Sequence, residues 1–92
     1  MHPDLQGGVD IIIEDGLHTF EANVSFLEES LDRLRLGGIY ITEDIMSCHR
    51  DEWYHRLETI YSQHYSTYEF SYVVLPGGPG DLLVVRRGAD VA

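Results

Sequence analysis

The stretch from Asp10 to Asp44, DIIIEDGLHTFEANVSFLEESLDRLRLGGIYITED, allows few folds. Val9 to Ile13 is a short, nearly unbroken apolar run rich in β-branched residues, the pattern of a central strand covered on both faces. Phe20, Val24, Leu27, Leu31 and Leu34 then recur at i, i+4, i+7, i+11 and i+14, which is one stripe of an α-helix. Thr19 is placed to cap that helix, and Glu21 sits in its first turn, near the positive end of the dipole. Arg33 and Arg35 fall near the negative end, Gly37-Gly38 supplies a left-handed stop, and Ile39 to Thr42 follows at once as a second strand. Strand, helix and strand joined this tightly predict a βαβ unit with parallel strands, a right-handed crossover and a helix covering one face.

Beyond Asp44 the alternation continues. The region Ser47 to Arg50 opens a second helix through about Tyr65, with Trp53, Leu57, Ile60, Tyr61 and His64 at helical spacing. Tyr68 to Leu75 reads as a third strand, Pro76-Gly77-Gly78-Pro79-Gly80 as a turn and Asp81 to Arg86 as a fourth strand, close enough to the third to form an antiparallel hairpin. The fold class is therefore α/β, a βαβ unit followed by a helix and a carboxyl-terminal hairpin. The PGGPG turn lacks the strand-to-helix context of a phosphate loop.

Charge and size narrow the function. At 92 residues the chain forms one domain at most, and a chain of this size buries only about 60 to 70% of its unfolded surface. Sixteen acidic residues against six Lys plus Arg give a formal charge of −10, which repels nucleic-acid phosphates and anionic lipid surfaces. The acid is not a disordered tail, because 43% of the residues are hydrophobic and the charges are interspersed with periodic apolar positions. A single cysteine, Cys48, excludes an internal disulfide framework and reads as inert or buried. With no leader-like or membrane-length apolar run, a reducing cytoplasmic setting is the expectation.

In open α/β sheets ligands bind beyond the carboxyl ends of the parallel strands. Asp15 and His18 follow the first strand here, and Glu43 and Asp44 follow the second. Neighbouring strands lie about 4.8 Å apart, so carboxylates leaving adjacent strand ends are able to share a cation with metal-to-oxygen distances of about 2.1 Å for magnesium. An all-oxygen set of Asp15, Glu43 and Asp44 favours Mg2+ or Mn2+ over zinc. The competing reading is of loop carboxylates that only solubilise the sheet edge. The imidazole of a residue such as His18 suits a general base, since this side-chain type can titrate near neutral pH, but a histidine in its place also caps the loop or packs against strand ends. His49 follows the acidic pair closely enough to line the same cleft, whereas His55 and His64 read as helix-surface residues.

These residues carry a family resemblance. The stretch from Asp10 to Asp44 resembles the distal half of a class I S-adenosylmethionine-dependent methyltransferase, of the metal-dependent type that methylates sugar hydroxyls of macrolides and related glycosides. That family has a D-G-x-H motif after its fourth strand and an E-D pair after its fifth, and Asp15, His18, Glu43 and Asp44 occupy those places. The LxxGG turn also fits, although Leu36 stands where proline is frequent; Glu14 replaces an aspartate and Leu17 a serine.

The resemblance implies Asp15, Glu43 and Asp44 as metal ligands, His18 as catalytic base, a small-molecule hydroxyl as acceptor and S-adenosylmethionine as methyl donor. It implies the second half of a Rossmann-like sheet, the present strands being numbers four to seven and the last inserted antiparallel between five and six. The donor in that fold is held by a glycine-rich loop after the first strand and an acidic residue after the second, and nothing in Met1 to Gly8 supplies either. Residues 1–92 are thus expected to form a partial domain, inactive alone. Its first strand would present an unpaired apolar edge, which predicts self-association, poor solubility or pairing with another chain. A noncatalytic module that uses the half-sheet for association, its acidic cluster incidental, is the alternative.

Overall fold

A computed structural model of the chain describes residues 8–14, 19–78 and 80–88. Strand β1 (Val9–Glu14) leads to helix α1 (Phe20–Ser30), and a 3-10 turn (Leu31–Arg33) passes directly into strand β2 (Leu34–Ile45). A continuous helical segment, 47–64, follows. It consists of a 3-10 turn (Ser47–His49), helix α2 (Arg50–Arg56), a π-helical stretch (Leu57–Tyr61) and helix α3 (Ser62–His64). The hairpin of β3 (Tyr68–Val73) and β4 (Asp81–Arg87) completes one mixed sheet in the order β1-β2-β4-β3. β1 and β2 are parallel, and β4 is antiparallel to both of its neighbours. The domain is α/β, as the alternating pattern predicts. Among the described residues no helix is long and apolar enough to cross a membrane.

The apolar stripe of α1 does face the core, with Val24, Leu27, Leu31 and Leu34 all buried. The Thr19 hydroxyl accepts from the Ala22 N–H at 3.1 Å, capping the helix as expected. The helix nevertheless ends sooner than its stripe suggests. Leu31 opens a 3-10 turn and Leu34 already belongs to β2, because a spacing of three residues suits a 3-10 turn as well as an α-helix. The glycine pair is correspondingly not the helix stop. Gly37, with φ of +80°, lies inside β2, where pairing with β1 jumps from Val9–Leu34 to Ile11–Ile39.

The register sorts the sheet into two faces. Ile12, Tyr40, Val85 and Phe70 form one cross-strand row and Glu14, Thr42, Leu83 and Tyr72 the next; this face carries the core together with α1, Trp53 and Tyr61. The other face holds Ile13, Ile41, Val84 and Ser71 in one row and Ile11, Ile39, Arg86 and Glu69 in another. None of its isoleucines belongs to the core cluster. Here the expectation for β1 is corrected. β1 is an edge strand with one bare face, Ile11 and Ile13 being 60% and 56% exposed. An unbroken apolar run shows that both faces of a strand are apolar, but not that both are covered.

One polar knot ties the two helical segments together. The Glu28 carboxylate of α1 accepts from Arg56 Nη2 (2.6 Å) and from the Tyr61 hydroxyl (2.8 Å). Across the π-helical stretch Arg56 Nε donates to the Tyr61 hydroxyl five residues on (3.0 Å), and the guanidinium lies 5.4 Å from the Tyr61 ring centroid. Tyr61 in turn stacks on Phe70 of β3 at 4.9 Å.

Leu27→Ala is expected to lower the unfolding free energy by about 2–5 kcal/mol, the cost of an apolar cavity. Ile13→Thr, on the bare face, should change it by no more than about 0.5 kcal/mol. Urea unfolding of both variants checks the pair.

Candidate functional site

The carboxyl ends of β1 and β2 lie level, since Glu14 pairs with Thr42 in the parallel ladder. Glu14 is buried there beside Tyr40 and Thr42, on the helical face. Burial pushes the Tyr40 phenol up to about 12; the Glu14 carboxylate adds to the rise and the Thr42 hydroxyl offsets part of it. The helical segment after β2 folds back over the start of α1. Phe20 meets Trp53 edge-on at 5.1 Å and His49 at 6.3 Å, so the start of α1 and the helical segment after β2 are in contact. His49, half-buried, lies at that end of the sheet, as its place in the sequence suggests.

Glu43 and Asp44 sit in a β-bulge. Thr42 pairs with Leu83 and Ile45 with Asp81, three steps along β2 against two along β4, so β2 carries one extra residue between those pairs. Bulges of this kind re-aim side chains at strand ends. Asp44 takes up the kink with φ of +57°, the one positive value at a non-glycine position among the described residues. The bulge leaves its side chain exposed and that of Glu43 half-buried.

Two neighbours hold the bulge. Gly80 packs directly beneath it, where a Cβ would fall 2.8 Å from the Asp44 Cα and carbonyl carbon and 2.9 Å from the Ile45 oxygen. The adjacent Asp81, 2% exposed, accepts from Arg50 Nε (2.8 Å) and Nη2 (3.2 Å), from the Tyr72 hydroxyl (2.7 Å) and from the Leu75 N–H (3.4 Å). The Arg50 hydrogen bonds hold the Asp81 carboxyl below the usual carboxylate range against the opposing effect of burial, with Tyr72 and Leu75 assisting. The Tyr72 phenol is raised, first by burial and then by its bond to Asp81.

Of the residues singled out from sequence, Glu43 and Asp44 are brought together at the carboxyl end of β2, while Asp15 and His18 lie outside the described residues. Among the described residues no group of three or more His, Cys, Asp or Glu is arranged to hold a metal ion. Glu43 and Asp44 are two carboxylates, the oxygen chemistry that suits Mg2+ or Mn2+, and are too few by themselves to enclose such an ion. His55 and His64 are exposed on the helical segment, as expected. Cys48 is free and exposed rather than buried, because it lies in the 3-10 turn ahead of α2, where no described residue covers it.

Sequence reasoning missed Arg50, Tyr72 and Asp81. One signal did exist: Asp81 precedes Leu83 and Val85 at a spacing of two, which puts a carboxylate in line with two inward-facing positions. Comparison of the chain with known protein families, with curated proteins and with solved structures finds no match.

Folding lowers the Asp81 pKa, so this group contributes stability that is fully present above the ordinary carboxylate pKa and is lost as the pH falls through the lowered folded-state value. The melting temperatures of wild type and Asp81→Asn should differ most near neutral pH and converge on acidification. A gap that stays constant across the carboxylate range would overturn the assignment.

Proposed function

We propose that this chain carries the metal-and-base part of a metal-dependent, S-adenosylmethionine-dependent O-methyltransferase that acts on a hydroxyl of a sugar or glycosylated small molecule. The reading is carried by one observation: the acidic bulge of β2 begins just past Thr42, which pairs with the last residue of β1, and in the sequence the DGLH run from Asp15 to His18 follows directly on that end of β1. The strand order supports it. β4 enters antiparallel between β2 and β3, as the last strand of that fold does. A half-sheet would also leave apolar surface uncovered, and the Ile11 and Ile13 face is bare.

The donors fit a hard divalent cation in kind. Glu43 and Asp44 from the bulge would hold it together with Asp15, and when bound it would supply Lewis acidity toward the acceptor hydroxyl. His18 would take the hydroxyl proton, freeing the oxygen lone pair. S-adenosylmethionine, when bound, would supply the electrophilic methyl group for that oxygen. In this reading the β-strand ends would orient the reacting oxygen, and the cluster of Phe20, Trp53 and His49 would limit access of water from one side.

A second reading, a noncatalytic half-domain acting in association, is favoured by that same bare face. Two measurements separate them. Mn2+ added to the full chain should quench or shift Trp53 fluorescence, since Trp53 is buried against Phe20 beside the acidic end. Asp44→Asn should weaken the Mn2+ affinity by more than about tenfold, the lower bound of what losing even an outer partner of a metal ligand costs. A chain that binds no Mn2+ but sediments as a concentration-dependent oligomer, which Ile13→Lys disperses, would replace the catalytic reading with the associative one.

A further inference from the structure

Among the described residues, no ion pair or side-chain hydrogen bond orients the Asp44 carboxylate, and of these residues it is the backbone of the bulge that sets the direction of its Cα–Cβ bond. That backbone is in a left-handed conformation, which costs most non-glycine residues energy and which aspartate tolerates better than most. Its surroundings are Gly80, pressed against Asp44 and Ile45, and Asp81, which pairs with Ile45 in the ladder and is gripped by Arg50. Arg50 lies six positions beyond Asp44, at the start of α2. The chain thus leaves the sheet at Ile45, turns through 46–49 and returns to the same carboxylate that sits opposite Ile45. Both ends of the turn are pinned to Asp81.

We infer that Asp81, held by Arg50 and Tyr72, is a positioning residue that fixes the bulge so that Asp44 faces the carboxyl end of the sheet. The fork of the guanidinium matters in this arrangement: two parallel N–H donors fix the orientation of the carboxylate as well as its distance. The Glu28, Arg56 and Tyr61 knot is a chemically similar cluster with no contact to the bulge, and so separates a local effect from a general one.

The test uses the full chain and two readouts, the second of which rests on the metal reading above. In Asp81→Asn, amide hydrogen exchange should accelerate at Asp44 and Ile45 more than at Tyr40 and Val85, and Mn2+ affinity should fall about tenfold or more, the usual cost of a lost outer partner. Glu28→Gln should lower the melting temperature while leaving both readouts at wild-type values. If Asp81→Asn does not fold, Arg50→Lys, which keeps the charge but loses the fork, carries the same comparison. Exchange that rises evenly across the sheet would overturn the inference, as would local acceleration with unchanged Mn2+ affinity. Local acceleration in a chain whose wild type binds no Mn2+ would leave Asp81 as the holder of Asp44 and remove the metal reading instead.

Discussion

Strand β2 is bonded along both edges, parallel to β1 on one side and antiparallel to β4 on the other, and every other element takes its place from that double pairing. Buried backbone groups must find partners, and β2 satisfies its own by supplying the ladder for two neighbours of opposite direction. The parallel side sets α1, because a parallel return requires a crossover and the crossover here is a single helix. The antiparallel side sets the hairpin. Tyr40 and Thr42, both fully buried at the middle of β2, are where the helical layer, β1 and β4 meet. The two irregularities of β2 both lie off this centre, at Gly37 and at Asp44, so the strand is regular where it is packed and distorted where it ends.

Much of this was legible in the residues, and the reasons differ by element. The βαβ unit and the hairpin follow from apolar periods of 3.6 and 2 punctuated by glycine and proline, and the Thr19 cap follows from its position before the stripe. The end of α1 was not legible, because Leu31 and Leu34 obey a spacing that two kinds of helical turn share. Nor was the bare face of β1, since coverage depends on which side the second helical segment chooses, and that choice rests on contacts such as Phe20 with Trp53 and Tyr61 with Phe70. The acidic pair was placed at a strand end from topology alone. The bulge that aims it was not, for it is marked by an aspartate in a glycine-like conformation and held by an arginine and an aspartate 31 residues apart.

The two sides of the sheet are also chemically unlike. The helical side is aromatic and tied by charged knots, with Glu28 and Asp81 each drawing one arginine and one tyrosine into the packing. Both carboxylates are accounted for by strong donors, so neither leaves an uncompensated charge in the interior. The bare side is aliphatic and flat, interrupted by the Glu69–Arg86 pair across β3 and β4.

The inserted position of β4 has a consequence for the order of assembly. β4 is the last described strand in the chain, yet it lies inside the sheet, between β2 and β3. During synthesis β1, α1 and β2 are available early, but one edge of β2 stays open until Asp81 to Arg87 has emerged, and β3 has no place in the sheet before then. Docking of β4 on β2 therefore completes the sheet, through contacts of long sequence separation. The same event brings Asp81 to Arg50, so the acidic bulge acquires its final shape only when the sheet is complete.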